Sequence, residues 1–435
     1  MYNYNDMDYI NQLLNDTLKL VAIDSVQSEP TALSPFGDGV GKCLQEALGI
    51  AYKLGFNTRN ENGYYGTAEI GEGEEFGILG HVDVVPYKNQ TWTRKPLGEI
   101  RDGVLYGRGV LDDKGPMVCC LYAVHKLINE GLCPKKKIKF IFGGNEESGW
   151  KCIERYNQIE TMPKNGFSPD ADFPVINCEK GIATIQITMD KPKELISLTG
   201  GARANMVIDK AECKVAAPIG KTMDVNICAS YKDNVTSITS FGTAAHGSTP
   251  ELGDNAFLHI IKLLGENLGG IYEKLNSLLY SIKGEGLDLN ISDEQSGALS
   301  LNVGVVNTHL DKLYLTLDIR YPATYKVDYI MDKVKAAFSF ADVELAHHQK
   351  PLFVDKNDEL VQSLLKAYNN TMGTSLTPIA IGGGTYARAM EHGVGFGPVF
   401  PNERSCAHEA DEHFSVANFE KAFEIYYEAI KQLCF

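Results

Sequence analysis

Five short polar clusters bring together the residue types that hydrolytic chemistry uses. His81-Val82-Asp83 comes first, Asp112-Asp113 follows Gly107-Arg108-Gly109, and Glu146-Glu147 follows Gly143-Gly144-Asn145. Ser168-Pro169-Asp170-Ala171-Asp172 and Ala407-His408-Glu409-Ala410-Asp411-Glu412 complete the set. Two histidines and several carboxylates, with no cysteine among them, suit a hydrolytic pair of zinc ions, since imidazole and carboxylate both bind zinc. Two such ions about 3.5–4 Å apart can hold one water between them. A carboxylate must then reach both ions, and Asp112 is the candidate. Two adjacent acids after a tight turn can also divide labour, one binding metal while the other stays free to move protons.

Each cluster alone has an ordinary explanation. A His-x-Asp pair is usually a surface or satisfied core pair. Asp112-Asp113 before a helix reads as an N-cap and a first-turn acid, both favoured at the positive end of the helix dipole. Glu146-Glu147 reads as an exposed turn. Their order and their placement along the chain change the balance.

The elements that carry them alternate between strand and helix patterns. Residues 40–54 have apolar positions at helical spacing, Phe76 to Leu79 form a short apolar run, and residues 114–130 make an amphipathic helix ended near Gly131 and Pro134. Ile138 to Phe142 form another strand. Such alternation predicts an α/β sheet with parallel elements, and the clusters then fall at the carboxyl ends of strands, where open α/β sheets place their ligands. The middle of the chain differs. Strand patterns at 183–189, 211–217, 225–240, 299–307 and 312–320, with helices at 254–268 (starting at Asp254) and near 326–338, predict a separate α+β layer. A helix at 358–371 and a strand at 394–400 follow. The expected organisation is a catalytic domain over 1–183 and 351–435, with a lid domain over 184–350 inserted into it.

The chain has 435 residues, a size at which about two domains are expected. Apolar residues make up 44% and charged residues 22%, ordinary values for globular protein. A formal charge of −15 argues against nucleic acid and anionic membrane as partners, since both reward basic patches. No apolar run is long enough to span a bilayer, and the polar, acidic start lacks the pattern of a secretory signal. Ten scattered cysteines without a CxxC pair predict reduced thiols and a cytoplasmic location. His408-Glu409 does not open an HExxH motif, because the fifth position is Glu412. A GxSxG elbow and a Walker A loop are also missing.

In this order, HVDVVP, GRGVLDDKGP, GGNEESG, SPDADFP and AHEADEHF resemble the zinc metallopeptidase superfamily of carboxypeptidase G, acetylornithine deacetylase, succinyl-diaminopimelate desuccinylase and aminoacylase. SPDADFPVINCEKG, GARANMV, GTAAHGSTPELGDNA and GGGTYAR resemble its PepV-type, carnosinase-like dipeptidase branch. The resemblance implies an α/β catalytic domain with a mixed sheet flanked by helices, and a dinuclear dipeptidase acting on unblocked dipeptides. It implies two Zn2+ per active site, with Co2+ or Mn2+ as substitutes. His81 and His408 would each bind one zinc, Asp112 would bridge them, Glu147 would join His408, and Asp170 would join His81, with Asp172 as the competing ligand. Asp83 would orient His81, and Glu146 would be the general base. In the lid, His246 would stabilise the oxyanion, Asn205 would hold the transition state, and Arg320 would pair with the substrate carboxylate, although a strand-end salt bridge would also account for an arginine there. The glycine-rich loop through Gly384 would lie beside the substrate. The inserted segment's length is compatible with a working monomer as well as a dimer. A deacylase of N-acyl amino acids or succinyl-diaminopimelate would use the same metal chemistry. A non-catalytic peptide-binding homologue would show a substituted Glu146, which this chain does not.

Overall fold

A computed structural model describes residues 4–32, 34–220 and 222–435, so the very start of the polar N-terminal stretch lies outside the described residues. The chain forms two compact units. The first comprises residues 1–177, 354–379 and 385–435, and the second comprises Cys178–Phe353 with Ala380–Gly384. The second unit therefore begins and ends slightly outside the expected 184–350. It also takes in Gly384, which the sequence pattern had assigned to the catalytic part.

The first unit is an α/β layer structure. Helices α1 (Tyr4–Val21), α2 (Asp38–Lys53), α3 (Lys114–Asn129) and α4 (Lys151–Ile159) alternate with strands β1 (Asn57–Glu61), β2 (Tyr65–Ile70), β3 (Glu75–His81), β4 (Lys137–Gly143) and β5 (Asn165–Ser168). The mixed sheet runs in the order β1-β2-β4-β3-β5, then His392–Gly395 and Ile176–Glu179. β3 pairs in parallel with β4 and β5, while β1 and β2 are antiparallel. Phe76, Ile78 and Leu79 of β3 and Ile138, Phe140, Ile141 and Phe142 of β4 are buried on both faces, as central strands between helical layers must be. Helix α3 is buried almost throughout, including Cys119 and Cys120. The C-terminal helix Val416–Cys434, whose pattern was not singled out in the sequence, packs beside it.

In register, His81 lies opposite Gly143 and Ile78 opposite Phe167. β3, β4 and β5 thus end at one edge of the sheet. That edge presents His81, the turn Gly144–Glu147 and the segment Pro169–Asp170 together.

The second unit is an antiparallel sheet in the order Ile227–Lys232, Val235–Phe241, Lys210–Val215, Leu195–Gly200, Ser300–His309, Lys312–Tyr321, Gly181–Asp190, Asp342–Gln349. One face is packed with helices Ala256–Leu268 and Gly270–Leu279, and Val327–Ala337 joins the same core. Lys210–Val215 alternates exposed and buried residues, as a half-solvated strand should. The helix expected to start at Asp254 is capped instead by Asn255, whose side chain accepts from the Phe257 amide. Among the described residues, no helix is long and apolar enough to cross a membrane.

Candidate metal centre

The site grows from the ends of three parallel strands, the loop before α3 and one returning loop, all in the first unit. His81 is the last residue of β3 and is fully buried. Its Nε2 lies 2.9 Å from Asp112 Oδ1 and 3.6 Å from Asp170 Oδ2. The other Asp112 oxygen, Oδ2, lies 2.9 Å from His408 Nε2. His408 Nε2 is also 3.1 Å from Glu147 Oε1. One carboxylate thus faces two imidazoles, one with each oxygen. His81, Asp112 and Glu147 offer ligand atoms close enough to share an ion, and so do His81, Glu146 and Asp170. Asp172, the competing ligand, forms no comparable contact with either histidine among the described residues.

The electrostatics are those of a cation site. Burial raises the carboxyl pKa of Glu146, with repulsion from Asp170 and Glu147 adding to it. Burial and the Asp112 charge likewise raise Glu147 and Asp170. Asp112 goes the other way: burial opposes its ionisation, but hydrogen bonds from His408 and His81 hold it well below the usual carboxylate range. The histidines respond in kind. Burial disfavours the charged ring of His81, yet Asp112, Asp170 and Asp83 push its pKa well up. His408 has a half-exposed side chain, and although partial loss of water lowers its pKa, Asp112 and Glu147 hold it at about 11. Among the described residues, no lysine or arginine forms an ion pair with Asp112, Glu146, Glu147 or Asp170. Acids without a lysine or arginine partner, converging with two imidazole nitrogens, fit divalent metal ions by donor type and by charge.

The supporting groups are as informative. The Asp83 carbonyl accepts from His81 Nδ1 at 2.9 Å, so it is the backbone of Asp83 that orients the ring, with the carboxylate 3.6 Å away. That carboxylate instead accepts the amides of Glu146 and Glu147, at 3.0 and 3.1 Å, and holds the acidic turn in place. Asp113, expected with Asp112 as an N-cap and first-turn acid, forms no ion pair with either histidine ring. It is fully buried on the far side of β3, where its Oδ2 accepts the His81 amide at 3.3 Å, and residue 80 must be glycine because any Cβ there would strike this carboxylate. Nor does its side chain cap α3.

Other supporting residues were not legible as such in the sequence. Glu412, noted only as the position that spoils an HExxH match, is fully buried. Its Oε1 accepts the amides of Gly109 and Leu111, both at 3.0 Å, and its Oε2 pairs with Arg108 at 2.7 Å. It ties the segment carrying His408 to the loop carrying Asp112. Burial, aided by the Asp112 charge, lifts its pKa to about 7. Gln90 accepts from Arg108 and donates to the His408 carbonyl, both at 2.7 Å. His408 itself has φ +65, a left-handed conformation uncommon for a residue with a side chain.

The remaining expected site residues lie in the second unit. His246 Nδ1 lies 2.7 Å from Ser248 Oγ and 3.2 Å from the Ser248 amide nitrogen. The Asn205 carbonyl accepts the Gly247 amide at 2.8 Å, so Asn205 and His246 are neighbours. Arg320 is nearly buried. It makes a forked pair with Asp318, with Nε at 3.0 Å from Oδ1 and Nη2 at 2.9 Å from Oδ2, and Nη1 donates to the Gly382 carbonyl at 3.2 Å. The loop of Gly384 belongs to this unit as well.

Residues 77–432 match the family model described as peptidase family M20/M25/M40. The chain belongs to this family. It is therefore a hydrolase of the metallopeptidase type, with a metal cofactor and a peptide substrate. It is 36% identical to the putative dipeptidase YtjP of Bacillus subtilis, over 97% of each chain, and 34% identical to a putative dipeptidase of Staphylococcus epidermidis, over 100% of this chain and 99% of that one. Among solved structures, human carnosine dipeptidase 1 shares the fold with a TM-score of 0.62 at 15% identity, over 99% of this chain and 97% of that one. Aminoacylhistidine dipeptidase from Vibrio alginolyticus does so at 0.60 and 14%, over 96% of each. The M20 fold is thus an α/β core plus an α+β unit, as the sequence pattern predicted.

Proposed function

We propose that this M20 peptidase is a dinuclear, zinc-dependent dipeptidase that cleaves unblocked dipeptides, with Glu146 as its general base. The observation that carries the reading is the Asp112 carboxylate, one oxygen facing His81 and the other His408, each at 2.9 Å. His81, Asp112 and Asp170 would hold one ion, and His408, Asp112 and Glu147 the other, with Co2+ or Mn2+ as alternatives to Zn2+. The ions, when bound, would acidify a water and polarise the scissile carbonyl. Glu146 takes the water's proton and delivers it to the leaving amine nitrogen. From the second unit, His246 and Asn205 would donate to the tetrahedral oxyanion, and Arg320 would take the substrate's C-terminal carboxylate beside the Gly384 loop. All ten cysteines are unpaired, which supports a reducing compartment such as the cytoplasm.

The test is hydrolysis of a free dipeptide beside its N-acetylated twin by the zinc-loaded protein, with Glu146→Ala as control. Cleavage of the free dipeptide alone, lost in the variant, supports the reading. Preference for the acetylated twin would make the protein a deacylase.

A further inference from the structure

Glu146 is held at its backbone by Asp83, but what orients its carboxylate is a different residue. The Trp150 indole Nε1–H donates to Glu146 Oε1 at 3.1 Å. Trp150 reaches back over the turn because it has φ +62, ψ +19, a left-handed conformation that bulky residues avoid. Its neighbours fix that conformation. The Trp150 amide donates to the Asn145 carbonyl at 2.8 Å, and the Asn145 side chain accepts the Lys151 amide at 3.0 Å. Asn145 is itself buried and donates to Gln27 and Ser148. The indole ring packs edge-on against Tyr386, with centroids 5.0 Å apart, and Tyr386 in turn lies edge-on to His81 at 6.2 Å. The Tyr386 hydroxyl meets Cys152 Sγ at 2.9 Å. The indole is thereby wedged between the acidic turn and the aromatic wall behind His81.

We propose that Trp150 is the positioning residue of the general base: its indole N–H occupies Glu146 Oε1 and leaves Oε2 as the oxygen that receives and returns the proton. An indole nitrogen only donates. It can therefore pin one carboxylate oxygen without competing for the proton, whereas a hydroxyl or a histidine in its place could take part in the transfer. The O–H bond of the water breaks as Oε2–H forms, and the same proton then passes from Oε2 to the leaving nitrogen, so Trp150 gains and loses nothing. With one rotamer of Glu146 selected, the base meets the water in a fixed geometry, and a misplacement of about 1 Å costs on the order of a hundredfold in rate.

This inference rests on Glu146 being the base, and two measurements separate the failure of one from that of the other. The chain has only two tryptophans, so its indole N–H groups give two resonances in a 15N-correlated spectrum of the metal-free protein, assigned by Trp92→Phe. In Glu146→Ala the Trp150 indole resonance should move upfield and exchange faster with solvent, while that of Trp92 stays put. Trp150→Phe keeps the ring against Tyr386 and removes the donor. It should lower kcat about ten- to hundredfold at nearly constant KM, with zinc content unchanged. A Trp150 resonance that ignores Glu146→Ala, or a Trp150→Phe enzyme with undiminished kcat, overturns the proposal and leaves the function intact. An active Glu146→Ala enzyme would overturn both.

Discussion

Loading the metal-free protein with zinc should release at least two protons at pH 7. The count follows from the geometry. His81 Nδ1 faces a carbonyl, which only accepts, and Nε2 faces the Asp112 carboxylate, each at 2.9 Å. Both ring nitrogens therefore carry hydrogen when no metal is present. An ion binding at Nε2 must displace one proton, and the carbonyl keeps the other on Nδ1. His408 is half-exposed, its pKa is raised to about 11 by Asp112 and Glu147 against partial desolvation, and it too is protonated at pH 7 and must give up a second. Protons resident on Glu146, Glu147 or Asp170, all raised by burial, would add to two. Two displaced protons make the overall affinity for the pair of ions rise about a hundredfold per pH unit, or ~2.7 kcal/mol. Titration calorimetry in buffers of different ionisation enthalpy reads the number directly, as the slope of observed enthalpy against buffer enthalpy. A slope near zero, or an affinity that does not change between pH 6 and 7.5, would refute the reasoning, because the two imidazoles would then be neutral before metal arrives.

The same linkage governs stability. Each histidine's folded pKa lies above its unfolded value, so its contribution to the metal-free fold is complete below about pH 6.5 and fades as pH rises through the folded value. Glu412, at about 7 against an ordinary value near 4.5, adds a penalty that grows between those two pH values. The gap in melting temperature between zinc-loaded and metal-free protein should therefore widen from pH 5.5 to 7.5, as scanning calorimetry would read. Glu412→Ala strands Arg108 in the interior and should cost about 3–5 kcal/mol in urea unfolding, and Glu412→Gln should cost less. Gln90→Ala frees the His408 carbonyl and should weaken zinc binding about tenfold or more in a chelator competition, with little loss of stability. Asp318→Ala removes the partner that forks onto Arg320 and should raise KM for a dipeptide about tenfold, with a smaller effect on kcat, in steady-state assays.

The parts of the site that could be read from the sequence are those set by local rules. Strand-like runs ending in polar clusters put His81, Glu146 and Glu147 at one sheet edge, since a parallel strand can deliver its ligands only at its carboxyl end. The short strand Asn165–Ser168 before Asp170 has no such apolar run. What escaped depends on long-range packing. Glu412 and Gln90 matter because of where distant loops return, and nothing in their neighbours announces it. Trp150 was invisible because a tryptophan beside Gly149 reads as an ordinary turn until its left-handed backbone is known. Asp113 reads in the sequence as a helix-start acid, yet its side chain accepts the His81 amide and does not cap α3. The Gly382–Gly384 loop was assigned by sequence position to one unit, while hydrogen bonding with Arg320 places it in the other.

The order of assembly along the chain has a consequence for the cell that makes this peptidase. Glu147 and His408 meet across 261 positions, and the strand His392–Gly395 that pairs with β5 is made only after residues 178–353. The Cys178–Phe353 segment, all of the second unit except Ala380–Gly384, lies between them and can begin to fold while the ribosome is still at work, as domains generally do. The acidic half of the site, by contrast, waits open-edged for its second histidine. A chain that stops before residue 408 therefore lacks the imidazole that Asp112 and Glu147 face, and its acidic cluster stands without that partner.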